Sequence, residues 1–111
     1  MDSFTALADP TRRQILEMLG HGRLAAGEIG GNFRLSAPAI SQHLKVLREA
    51  RLVRVEVQGQ RRIYSLDPEG LGEMDDWFSR VRRFWSERLD ALEHELNKPE
   101  DSQPEDGRSE S

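Results

Sequence analysis

Cysteine is missing from the 111-residue chain. That excludes disulfides, thiolate metal sites and a cysteine nucleophile. No apolar run approaches the roughly 18 residues a helical membrane span needs. The opening MDSFTALADP has neither the charged nor the apolar region of a signal peptide, so the expected location is cytoplasmic. Histidine is scarce, and His21, His43 and His94 fall in separate segments. No Ser/His/Asp arrangement accompanies them, so neither catalysis nor a cofactor is expected. Glycines 27, 30 and 31 match neither G-x-G-x-x-G nor the phosphate-loop pattern and read as close helix packing. An excess of positive charge is lacking too. The formal net charge is −4, which at first sight argues against a polyanionic partner.

The distribution of charge reverses that impression. Residues 99–111 hold five acids and one base, so this stretch alone accounts for −4. Residues 34–62 hold seven bases and two acids, a local excess of +5. Local charge governs attraction to a polyanion. Within that basic segment, LSAPAISQHLKVLREARL reads as an amphipathic helix opened by a Ser36 cap. Ile40, Leu44 and Leu47 recur at i, i+4 and i+7 and share one buried face. Ser41, Gln42, Lys45 and Arg48 lie opposite, where Ser and Gln suit base edges or phosphates and Lys and Arg suit phosphates. This is the expected second helix of a helix-turn-helix.

The neighbouring segments complete a domain. Residues 1–8 place Phe4 and Leu7 on one helical face. Asp9-Pro10 starts a second helix to about Leu19, with Ile15, Leu16 and Leu19 as its core stripe and Gly20 and Gly22 ending it. Residues 24–33 read as a short, weak helix burying Leu24, Ile29 and Phe33. After Ala50 the period changes to two: residues 52–57 and 61–66 predict two strands joined by Gln58-Gly59-Gln60. Asp67-Pro68 then opens a long helix to about Leu96. Its stripe of Met74, Trp77, Phe78, Val81, Phe84, Trp85, Leu89, Leu92 and Leu96 exceeds what a small domain can cover, which predicts pairing with a second copy. The expected fold is mainly α with a small β-hairpin, a winged helix-turn-helix in the order α-α-α-α-β-β-α. Its domain spans 1–98, with a dimerisation helix at about 70–97, and 99–111 is an acidic tail expected to be disordered.

Three stretches, ALADPTRRQILEML, LSAPAISQHLKVLREARLV and VEVQGQRRIYSLDP, together resemble the ArsR/SmtB-type, or arsenic-repressor-like, family of bacterial transcription regulators. The ending RRFWSERLDALEHEL is similar to a metal-independent sub-group that includes SdpR-type autorepressors. The resemblance implies a homodimeric repressor on a partly palindromic operator of double-stranded DNA near its own promoter. It implies recognition helices in successive major grooves and wings on flanking backbone or minor groove. Carried over residue by residue, Ser36, Ala37, Pro38, Ala39, Ser41, Gln42, His43 and Lys45 fall on the recognition helix, and Gly59, Gln60, Arg61 and Arg62 on the wing. Phe4 and Leu7 of the first helix and Trp77, Phe78, Val81, Phe84, Trp85, Leu89 and Leu92 of the last fall at the dimer interface.

Residue chemistry agrees with those roles. Small residues at 37 and 39 allow close approach to DNA. Gln42 suits a bidentate bond to adenine, and Ser41 a base or phosphate. Lys45, Arg61 and Arg62 suit phosphates. His43 sits between the two faces, equally placed for a DNA contact or for packing.

Metal sensors of the family are matched poorly. LAAGEIGG holds no cysteine where one class has its ligands. The last helix has a single histidine, His94, four residues from Asp90; a solvated pair is the plainer reading. No metal is therefore expected. Two other readings stay open. One is a winged-helix module for an acidic protein partner or the chain's own tail. The other adds a small-molecule effector between the terminal helices, beside Trp77, Phe78, Phe84 and Trp85.

Overall fold

The computed structural model describes residues 2–97; the acidic tail lies outside them. Five helices and three strands follow one another as α1 (Ser3–Ala6), α2 (Pro10–Leu19), β1 (Leu24–Ala25), α3 (Ala26–Gly30), α4 (Ala37–Glu49), β2 (Val53–Gln58), β3 (Arg61–Leu66) and α5 (Pro68–Leu96). The chain divides into two compact units, residues 1–75 and 76–111.

Local chemistry accounts for the helix starts. Asp2 accepts from the Thr5 N–H, Asp9 from the Arg12 N–H and Ser36 from the Ala39 N–H, so α1, α2 and α4 each begin on a side-chain cap. Pro10 and Pro38 lie in the first turns of α2 and α4, where no intrahelical N–H is needed. Helix α3 has Ala25 at its cap position, and Glu28 instead reaches back to accept from the Ala25 N–H at 2.7 Å.

The core of the first unit gathers Ile15, Leu19, Ile29, Ile40, Leu44, Leu47, Leu52 and Val53, each at most 4% exposed. The helical stripes expected for α2 and α4 are thus the buried ones. Leu16, Leu24 and Phe33 pack against this core half-buried.

The sheet departs from the expected two-stranded wing. It has three antiparallel strands in the order β1-β3-β2. Leu24 pairs with Tyr64 and Ala25 with Ile63, so the start of the expected 24–33 helix is extended. That helix also stops at Gly30, short of Phe33. A two-residue strand has no period of its own, and its partner lies about 40 residues away, so local pattern does not reveal it. The β2–β3 ribbon closes on the Gln58–Arg61 pair through Gly59 and Gln60. Gly59 has φ +63°, as a two-residue type II′ hairpin asks of its first central residue.

Helix α4 ends on an unusual cap. Arg51 occupies the left-handed region at φ +63°, a place usually taken by Gly. The Leu52 N–H bonds the Leu47 carbonyl and the Arg51 N–H the Arg48 carbonyl, closing the last turn. The Arg51 carbonyl accepts from the Gly70 N–H at 3.0 Å, and a Cβ at Gly70 would land on that carbonyl. Arg51 also pairs with Glu69, and Arg54 with Asp67 at 3.6 Å. The end of α4 is thereby tied to the first turn of α5.

In α5, Met74 is buried, whereas Trp77, Phe78, Phe84, Trp85, Leu89, Leu92 and Leu96 are 40–85% exposed. Trp77 and Phe78 meet edge to face, with ring centroids 5.1 Å apart. No helix among the described residues is long and apolar enough to cross a membrane.

Candidate nucleic-acid interface

Burial of Ile40, Leu44 and Leu47 at 4, 1 and 0% turns the other side of α4 outward. Ser36, Ala37, Pro38, Ser41, Gln42 and Lys45 are exposed there, and Ala39 and His43 are half-buried. The Ser36 hydroxyl is engaged as the cap, 3.3 Å from the Ala39 N–H. Ser41 and Gln42 make no side-chain hydrogen bond among the described residues, so both keep their full hydrogen-bonding capacity for an outside partner. The first turn of α4 has small side chains at 37 and 39, which leaves its positive dipole end open to close approach.

His43 is held from inside the chain. Its Nδ1 lies 3.3 Å from Arg12 Nη1 and 3.8 Å from Asp9 Oδ2. Arg12 Nε donates to the Ala6 carbonyl at 2.6 Å. The Arg12 side chain therefore joins the end of α1 to the middle of α4, while its backbone N–H bonds the Asp9 cap of α2. Burial pushes the Asp9 carboxyl up, but the Arg12 N–H, the nearby His43 and Arg12 charges and the Thr11 N–H outweigh it and hold the carboxyl below its ordinary value. Neither Asp9 nor Arg12 is signalled as a support for the recognition helix by anything local. Asp9 is legible as a helix cap, and Arg12 reads as one more solvated base.

The basic segment is divided by its partners. Arg51, Arg54 and Arg61 are paired with Glu69, Asp67 and Glu28, the last at 3.7 Å. Arg34, Lys45, Arg48 and Arg62 have no ion pair among the described residues. Unpaired cations contribute their charge to a phosphate without first surrendering a carboxylate. Arg61 is more than half exposed, as is Glu28, so that pair is weak and a phosphate competes with it readily. Gly59, Gln60, Arg61 and Arg62 are all exposed at the hairpin end.

A helix capped for exposure, preceded by a short helix and followed by a basic hairpin, also has close relatives. The model of the bacterial regulatory proteins of the arsR family matches residues 9–55. The chain is 49% identical over 87 residues to the HTH-type transcriptional regulator Rv2034 of Mycobacterium tuberculosis, covering 78% of each protein. The chain belongs to the ArsR family. It is 40% identical over 74 residues to the transcriptional repressor SdpR of Bacillus subtilis, covering 67% of this chain and 82% of that one. Among solved structures, the crystal structure of a possible transcriptional regulator for arsenical resistance superposes with a TM-score of 0.70 at 37% identity, covering 82% of this chain and 95% of that one. As an ArsR-family member, the chain is a DNA-binding transcription regulator of the winged-helix fold, with the β2–β3 ribbon as its wing. No group of three or more metal-ligating side chains forms among the described residues.

Proposed function

We propose that the chain is a homodimeric repressor of a partly palindromic operator near its own promoter. Unpaired Ser41 and Gln42 carry the reading. They stand on the outward face of a helix whose inward face is fully buried, between unpaired cations at 34, 45, 48 and 62. Gln42 reads a base, Ser41 a base or phosphate, and Lys45, Arg48 and the wing arginines neutralise phosphates. His43 is a positioning residue through Arg12 and Asp9. Residues 1–98 act as the DNA-binding and dimerisation domain, with 99–111 as an acidic appendage.

Dimerisation is supported by the exposed stripe of α5. Phe78, Phe84, Trp85, Leu89 and Leu92 are 46–67% exposed, more contiguous apolar surface than single chains keep in water. Phe4 and Leu7 of α1 extend the same reading, with Phe4 44% exposed. A dimer presents two recognition helices and matches a two-fold operator. Repression follows from occupancy of a promoter and needs no chemistry, which agrees with a cytoplasmic regulator that is not an enzyme.

Gel shift against the chain's own upstream region, with sedimentation of the free protein, tests this reading. The expected result is a dimer that binds one sequence tightly and loses affinity steeply with salt. A monomer, or binding indifferent to sequence, overturns it.

A further inference from the structure

The face that presents Ser41 and Arg62 also encloses a cavity of about 500 Å³ between α3, the start of α4 and β3. Its volume is that of a small-molecule site rather than a packing defect. Leu35, Ile40 and Leu44 supply apolar wall, and Ser41, Arg62 and Tyr64 supply polar groups. Glycine keeps it open on the α3 side. A Cβ at Gly27 would meet nothing within 4 Å, and one at Gly30 only Ile40 Cγ1, at 3.9 Å.

None of these three polar side chains has a partner among the described residues. Tyr64 is 5% exposed, yet its hydroxyl has no hydrogen bond among the described residues. Buried phenol hydroxyls ordinarily find one, and an orphan of this kind marks a place for a bound group. Arg62 has no carboxylate partner among the described residues, while Glu28 pairs with Arg61 at 3.7 Å. Residues 62 and 64 are two apart on β3 and so face the same side of the sheet.

We propose that this cavity binds a small organic anion with a flat apolar body. The body lies on Leu35, Ile40 and Leu44; the anionic group meets the Arg62 guanidinium and accepts from the Tyr64 hydroxyl. Because Ser41 and Arg62 belong to the proposed DNA interface, an occupant excludes DNA, and the ligand is an inducer that acts by direct competition. The competition, though not the binding, rests on the reading given under Proposed function.

The test uses the full chain and 2-naphthoate as probe, with the neutral 2-naphthamide as its isostere. Naphthoate shifts the backbone amide resonances of residues 26–30, 35–41 and 62–64 saturably, and naphthamide binds about tenfold more weakly or less. Tyr64→Phe weakens naphthoate about fivefold or more with DNA affinity unchanged, and Gly27→Leu, whose side chain fills the cavity, abolishes naphthoate binding. Shifts confined to residues 76–97, or equal binding by parent, Tyr64→Phe and Gly27→Leu, overturn the site. Naphthoate binding by a chain that binds no DNA upholds the site and overturns the DNA reading. Naphthoate and DNA binding together without displacement overturns the competition.

Discussion

Helices α4 and α5 are both amphipathic, and their apolar residues have opposite fates. Ile40, Leu44, Val46 and Leu47 of α4 are at most 8% exposed, while Phe84, Trp85, Leu89 and Leu92 of α5 are 55–67% exposed. The same periodicity therefore serves two purposes. In α4 the apolar stripe anchors the helix on its own domain so that a polar face is presented rigidly. In α5 the stripe is itself the presented face. A period of 3.6 states that one side of a helix seeks burial and leaves open what does the burying.

Breaking the first stripe should cost far more within one chain than breaking the second. Leu47→Ala in α4 empties a fully buried site and should lower stability by about 2–5 kcal/mol in denaturant unfolding. Trp85→Ser in α5 should leave the unfolding of dilute, dissociated chain within about 0.5 kcal/mol of the parent. It should weaken self-association by about 2 kcal/mol or more, read by sedimentation equilibrium. Equal losses of single-chain stability from both would erase the distinction.

The polar face of α4 sharpens the comparison at the next level of effect. Gln42→Ala should cost about 1–3 kcal/mol on the preferred sequence and little on others. Lys45→Ala should weaken all sequences alike and reduce the slope of log K against log salt by about one. Competition gel shifts over a salt series separate the two.

The supports of α4 give smaller effects. Asp9 caps α2 and faces His43, and Asp9→Ala should cost about 1 kcal/mol at neutral pH. The Asp9 carboxyl is held below its ordinary value of 3.8 in the folded chain. Its stabilisation is therefore complete above about pH 4 and is lost as pH falls through the depressed folded value. Melting curves of parent and variant should converge in acid and stay apart at neutral pH. At the other end of the helix, Arg51→Gly should raise stability by about 1 kcal/mol. It relieves a left-handed non-glycine residue and gives up only an exposed ion pair.

Much of this was legible residue by residue. Caps at Asp9 and Ser36, the buried stripes of α2 and α4, the hairpin at Gly59 and the exposed polar face of α4 all depend on signals within four residues of one another. Asp67-Pro68 likewise marks the start of α5. The paired and unpaired states of the arginines were not legible. Arg54 and Arg61 look alike in the chain, as do Arg48 and Arg62, and only position in the fold gives the first two a carboxylate. Arg51 gave no sign of its left-handed backbone, since a capping glycine was the only local cue to seek.

By itself, then, the amino-acid sequence determined the longer helices, the caps at Asp9 and Ser36, the hairpin and the polar face that α4 turns outward. Each follows from hydrogen bonds and hydrophobic periods that act over a turn or two of chain. Tertiary structure alone decided that Leu24 and Ala25 join β3, that Arg12 braces His43, that Glu28 takes Arg61 and leaves Arg62 free, and that Tyr64 borders a cavity without a partner. Those outcomes depend on groups far apart in the chain, brought together when the buried stripes pack. Nothing short-range encodes them.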